Sequence, residues 1–169
     1  HISDGTLNDS DGNPFKTRDG GTKPLSELFE ETYEYIKNIN SDLEDSTIKQ
    51  LSNSVLTFSD LITNRKTDYK FDLEKFTNVN GKTGIYVQYA QVRAKKLQQS
   101  ISQQKNEMES LVLSDVDKQL LSQLFMFGYF LEQSSSLNEP HHLANYLYDI
   151  SNSFNQFYEH EKLSEIKDI

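Results

Sequence analysis

Gly81-Lys82-Thr83-Gly84-Ile85-Tyr86-Val87-Gln88-Tyr89-Ala90-Gln91-Val92-Arg93-Ala94-Lys95-Lys96-Leu97 is the stretch on which the reading of this chain turns. Glycines on either side of Lys82-Thr83 make a flexible entry, and Thr83 can cap a helix that then runs far without Gly or Pro. Residues three and four apart share a helical face, so Tyr86, Tyr89 and Arg93 line up, with Gln88 expected beside them. Two rings, an amide and a guanidinium on one face can stack on unpaired bases and hydrogen-bond their edges. The same tyrosines can also be half-buried packing residues whose hydroxyls stay wet.

Outward from this stretch the charge is uneven. From Ile62 to Gln98, Arg65, Lys66, Lys70, Lys75, Lys82, Arg93, Lys95 and Lys96 face only Asp68, Asp72 and Glu74, a local balance of +5 in a chain whose net charge is -9. A basic middle between acidic flanks can take a polyanion along one surface while the remainder repels it. The 169 residues allow one domain or two small ones with a sizeable core. Apolar residues make up 35% and mean hydropathy is -0.70, the profile of a soluble protein. No apolar run approaches the roughly 18 to 20 residues of a membrane span, and no signal peptide is expected at the amino terminus. The absence of cysteine excludes a disulfide framework, a thiolate metal site and a thiol nucleophile, and makes a reducing cytoplasm the default compartment.

In chain order, residues 1–22 show no helical period and read as a strand, a turn at Asp11-Gly12-Asn13 and a loop. Lys16 and Arg18 lie in that Gly-flanked loop, from which cations can reach a phosphate. Pro24 opens a helix with Leu25, Leu28, Phe29, Tyr33, Ile36 and Ile39 at helical spacing and glutamates on the solvated face. A second helix is predicted over Thr47 to Leu61. Arg65 to Asn80 reads as a brief extended segment and a helical turn. The helix after Gly84 is predicted to continue through Ala90, Ala94, Leu97, Ile101, Met108 and Leu111 as a long core helix. Ser114 is the expected cap of another, running through Leu131 and stopped by Ser134-Ser135-Ser136. Pro140 starts the last, with Leu143, Tyr146, Leu147, Ile150, Phe154, Phe157 and Tyr158 on one face. Helices of this kind bury their stripes against one another, so the expected fold class is mainly α, a helical bundle with a short strand and loop segment at the amino terminus.

Catalytic constellations are poor. There is no Walker loop, dinucleotide fingerprint or nucleophile elbow. His141 and His142 are adjacent, so their rings are expected to diverge on a helix, which argues against joint chelation of a metal.

Three motifs then fall in a familiar order. Asp11-Gly12-Asn13-Pro14-Phe15-Lys16-Thr17-Arg18-Asp19-Gly20-Gly21-Thr22, followed by Leu25-Ser26-Glu27-Leu28, resembles a divergent KMSKS loop of class I aminoacyl-tRNA synthetases. Gly84 to Arg93 is similar to a helix entering the anticodon-binding bundle. Leu143-Ala144-Asn145-Tyr146-Leu147-Tyr148-Asp149 with Phe154-Asn155-Gln156-Phe157-Tyr158-Glu159 resembles a later bundle helix. Together they resemble the C-terminal half of the arginyl-tRNA synthetase family, over essentially the whole chain.

That resemblance implies a division into the edge of a catalytic domain with the KMSKS-like loop (1–22), a stem-contact helical segment (23–80) and an anticodon-binding bundle (81–169), expected to be incomplete at its C-terminal end. It implies a tRNA-binding part of an arginine-tRNA ligase, whose whole enzyme would charge arginine tRNA using ATP with magnesium. Lys16, Thr17 and Arg18 become candidates for ATP phosphates, and Lys82, Tyr86, Gln88, Tyr89, Arg93, Lys95 and Lys96 for the anticodon arm. No HIGH motif or nucleotide-binding fold is present, so no catalysis and no bound cofactor or metal are expected of these residues alone. A cytoplasmic monomer without membrane contact is implied. The alternative is an all-helical protein-interaction module with no RNA role.

Overall fold

The computed structural model describes residues 4–8, 24–101 and 112–160. Strand β1 (Leu7–Asn8) is followed by α1 (Leu25–Ile39), α2 (Asp45–Ile62), β2 (Tyr69–Lys70), α3 (Leu73–Thr77), α4 (Gly84–Ile101), α5 (Asp115–Phe125), α6 (Phe127–Leu137) and α7 (His141–His160). The expected helical bundle is what forms. The two strands pair in parallel, Leu7 with Tyr69 and Asn8 with Lys70, and α1 and α2 supply the crossover that parallel pairing requires. The Asp11 turn and the Lys16–Arg18 loop lie outside the described residues. Among the described residues, no helix is long and apolar enough to cross a membrane.

The core is built on α2. Ile48 and Val55 pack with Ile36 of α1 and Phe76 of α3, and Leu51, Tyr69, Phe71 and Ile85 close around them. The buried hydroxyls of Thr32 and Ser52 are satisfied within their own helices: Thr32 donates to the Leu28 carbonyl at 2.7 Å and Ser52 to that of Ile48 at 2.8 Å. These small side chains let α2 pack against α1, α3, α4 and α7 without leaving a polar group unpaired. The second layer is α7, which packs against α4, α5 and α6 as well as α2.

Four expectations about the helices are corrected. The helix predicted from Ser114 through Leu131 breaks in two at Met126, whose backbone (φ -79, ψ -6) lies near the bridge region and whose N–H turns back to Gln123 and Leu124. The serines expected to stop it instead sit inside α6; the stop is Asn138, in the left-handed conformation at φ 53, with Glu139 N–H bonded to the Ser134 carbonyl at 3.0 Å. On α7 the expected single apolar face is replaced by Ala144, Tyr146, Ser151, Ser153 and Asn155 as buried positions, because the helix is contacted from several sides. The α4 stripe is thinner than expected: Ala90 is buried but Val92 is half exposed, and Met108 and Leu111 lie outside the described residues.

Candidate nucleic-acid interface

Helix α4 begins as its sequence suggests. The Thr83 hydroxyl accepts the Tyr86 N–H at 3.2 Å and donates to the Asn78 carbonyl at 2.8 Å, and Thr83 itself is 1% exposed. Gly84 then lies directly against α2: a Cβ there would stand 2.3 Å from the Ser54 carbonyl oxygen. Only glycine permits that approach, which fixes where the rest of α4 points.

One side of α4 faces α7. The Tyr86 ring packs on Tyr148 with centroids 5.3 Å apart, and its hydroxyl bonds Asn152 Oδ1 at 3.2 Å. Two turns on, the Arg93 guanidinium lies between the rings of Tyr89 (4.3 Å) and Tyr158 (4.7 Å). It donates to Asn155 Oδ1 at 3.1 Å and pairs with Glu159 Oε1 at 2.7 Å. The other side faces α2, where Gln88 donates to the Ser54 hydroxyl and accepts from Gln50 Nε2 at 3.3 Å. Gln88 is therefore not beside the tyrosines: two residues from Tyr86 it is turned by about 200° around the helix, onto the opposite flank.

What remains open is a third side. Tyr89 is 49% exposed, Val92 equally so, and Lys95 and Lys96 are both exposed. Neither lysine makes an ion pair among the described residues. Lys82, just ahead of α4, is exposed with its ammonium 5.1 Å from the Tyr148 ring centre. The predicted residues are thus divided: Tyr89 and Lys96, seven residues apart, share the open face, Lys95, seven residues beyond Gln88, is exposed on the Gln88 flank, Tyr86 and Arg93 are held against α7, and Gln88 against α2. Lys16, Thr17 and Arg18 lie outside the described residues. Tyr148 and Tyr158, the α7 partners, were not among the candidates, although their place in the third motif was the available signal.

A second polar cluster sits where α7 begins. Glu139 accepts from Lys66 Nζ at 2.5 Å, His142 Nε2 lies 3.3 Å from its second oxygen and His141 Nε2 4.0 Å, with the two imidazoles 4.2 Å apart. The histidines converge after all, because Glu139 lies beneath the first turn between them. The Lys66 hydrogen bond holds the Glu139 carboxyl below its usual range, and burial, then His142, lowers His141. These three side chains could hold a metal ion by geometry. The electrostatics oppose one: Lys66 occupies the carboxylate, Arg65 donates to the adjacent Asn138 carbonyl at 2.6 Å, and the helix start carries positive partial charge. The cluster instead ties the loop after α2 to the start of α7. Nearby, burial and then the Asp60 carboxylate push the Tyr69 hydroxyl well up, keeping it a donor to Asp60 at 3.0 Å.

Residues 87–168 match the DALR anticodon binding domain. A curated arginine–tRNA ligase of Francisella tularensis subsp. novicida is 37% identical over 177 aligned positions, covering 99% of this chain and 30% of that protein. One of Stutzerimonas stutzeri is 34% identical over 95% of this chain and 29% of that protein. The chain belongs to the arginyl-tRNA synthetase family. Among solved arginyl-tRNA synthetases, that of Thermus thermophilus shares the fold over 94% of this chain and 27% of its own (TM-score 0.76, 23% identity). That of Plasmodium falciparum superposes over 82% and 27% (TM-score 0.64, 25% identity). The chain therefore spans about 30% of the length of the curated family members it matches. The matched anticodon-binding segment opens inside α4, so it contains Tyr89, Arg93, Lys95 and Lys96, while Lys82 and Tyr86 precede it.

Proposed function

We propose that this chain is the tRNA-binding part of an arginine-tRNA ligase and that it grips the anticodon arm of arginine tRNA. The observation that carries the reading is the open face of α4, a half-exposed Tyr89 with Lys96 two turns on and Lys95 next to it, lysines that make no ion pair among the described residues, inside the matched segment. Tyr89 offers its ring to an anticodon-loop base, and Lys95 and Lys96 meet phosphates. Lys82 extends the cationic edge at the head of the helix. Tyr86, Gln88 and Arg93 hold α4 between α7 and α2 so that this face stays presented. In the whole enzyme, residues 1–22 border the catalytic domain, with Lys16, Thr17 and Arg18 as its candidates for ATP phosphates. Residues 23–80 meet the stem and 81–169 the anticodon. ATP with magnesium and arginine are bound by the catalytic part, so these residues alone bind no cofactor and do not aminoacylate. The enzyme works as a monomer in the cytoplasm.

Tyr89→Ala tests the reading by titration against an arginine-tRNA anticodon stem-loop. Stacking is worth about 1 to 3 kcal/mol per base, so affinity should fall about 5- to 150-fold. Unchanged affinity in a folded variant removes Tyr89 from the interface. A protein-interaction module is the second reading, favoured by the exposed Leu124, Phe125, Phe127 and Leu131 of α5 and α6. Such a contact responds weakly to salt, whereas RNA binding weakens steeply.

A further inference from the structure

Most cations among the described residues are answered by a carboxylate. Lys37 meets Glu34, Lys49 meets Asp45, Arg65 meets Asp4, Lys66 meets Glu139, Arg93 meets Glu159 and Lys118 meets Asp115. Lys75, Lys82, Lys95 and Lys96 make no such pair among these residues. In a chain with 26 acidic and 17 basic side chains, four lysines without a carboxylate in one short part of the sequence need a reason. Lys96 belongs to the open face of α4 and Lys95 is exposed on the flank next to it. Lys75 and Lys82 lie elsewhere.

Together with Lys70, these two line a cleft of about 530 Å³ bounded by Ile62 and Thr63 at the end of α2, by β2, by α3 and by the turn before α4. The three lysines come from three separate segments, so the fold, not the sequence, assembles them. The carboxylate lining the cleft, Asp72, accepts the Lys75 backbone N–H at 3.0 Å as the cap of α3, which directs it to the helix end. Both ammonium groups are instead steadied over aromatic rings, Lys75 at 5.6 Å from the centre of Phe76 and Lys82 at 5.1 Å from that of Tyr148. A ring face attracts a cation without neutralising it and leaves its N–H donors for another acceptor. The cleft adjoins the head of the α4–α7 seam, where Tyr148 also packs on Tyr86. Lys82 stands two residues ahead of α4 and Tyr89 five residues into it, roughly 8 Å along the axis from Gly84, so one nucleic-acid strand can pass both.

We propose that this cleft is a phosphodiester-binding site: Lys75 and Lys82, with Lys70 at the rim, hold the sugar–phosphate backbone of the RNA whose bases meet the open face of α4. It rests on the RNA reading above and adds a contact that positions the RNA without reading its sequence. Lysines suit that task, being flexible point charges without the planar fork that reads a base edge.

The test uses the full chain and arginine tRNA, with affinity measured across a series of KCl concentrations. Each phosphate contact contributes about 0.7 to 0.9 to the slope of log K against log salt, so Lys75→Gln/Lys82→Gln should make it shallower by about 1.4 to 1.8. The double variant should weaken cognate and anticodon-altered RNA by the same factor, and Lys75→Arg/Lys82→Arg should keep the slope. If the double Gln variant fails to fold, each single Gln variant should lower the slope by about half as much. A slope and affinity equal to wild type would overturn the cleft while leaving the α4 reading intact. A loss confined to the cognate anticodon with the slope retained would also overturn it. Wild-type protein that binds no RNA would overturn the RNA reading itself, and the cleft with it.

Discussion

Replacing Arg93 by alanine should loosen the bundle rather than simply remove an RNA contact. Its side chain is 19% exposed and engages Asn155, Glu159 and two tyrosine rings at once. A hydrogen bond from a charged group is worth about 1.5 to 3 kcal/mol, and each ring contact about 0.5 to 1 at a partly exposed site. The Glu159 carboxylate is 60% exposed, so solvent screening reduces its ion pair to about 0 to 1 kcal/mol. These contacts share one side chain and do not add independently, which puts the expected loss at about 2 to 4 kcal/mol. For a chain of this size that lowers Tm by roughly 5 to 15 °C, read by the 222 nm circular dichroism signal on heating and cross-checked by the urea midpoint. Arg93→Lys should recover little, since one ammonium cannot span both acceptors and lie flat between two rings. An unchanged Tm together with lost RNA affinity would refute the reasoning, because it would mean that Arg93 faces RNA and that its contacts to α7 carry no stability.

Gly84→Ala should separate α4 from α2, since its Cβ would meet the Ser54 carbonyl carbon at 2.7 Å and the oxygen closer still. Overpacking of this kind costs about 1 to 3 kcal/mol, measured by urea unfolding, and RNA affinity should fall as the open face is displaced. Stability should also decline on acidification. Glu139 is held below its ordinary value of 4.5, so its contribution is complete above that pH and is lost as pH falls through the lowered folded value. His141 is likewise lowered from 6.5, so protonating it opposes the fold, and the denaturation midpoint should begin to fall below about that pH. Glu139→Gln should flatten the more acidic step; an identical pH profile would remove Glu139 from the account.

Several helix starts were legible because their signals are local. Thr83 caps α4 as its sequence position suggests, Ser114 forms a capping box with Asp117, and Pro24 and Pro140 stand at the starts of α1 and α7. The break at Met126 was not legible, since no proline marks it and the apolar period runs straight through Phe125 and Phe127. At the candidate site, the type of residue was readable but its direction was not. Counting three- and four-residue steps aligned Tyr86 and Arg93 correctly on the α7 side, yet whether their polar atoms were free depended on Asn152, Asn155 and Glu159, far along the chain. The same holds for charge. Lys66 looked like part of a basic strip until Glu139, 73 residues away, was found to pair with it, while Lys75 and Lys82 have no carboxylate partner among the described residues. Gln88 was misplaced for a simpler reason: a spacing of two on a helix puts a side chain across the axis, not alongside.

The central claim, that this chain recognises the anticodon arm of arginine tRNA, is tested most directly by fluorescence anisotropy with two labelled hairpins. One carries the arginine anticodon stem-loop and the other the same stem with the anticodon bases exchanged. Tighter binding of the arginine hairpin, lost in Tyr89→Ala, is the predicted result. Equal affinity for both hairpins, or no binding of either by a folded chain, would contradict it.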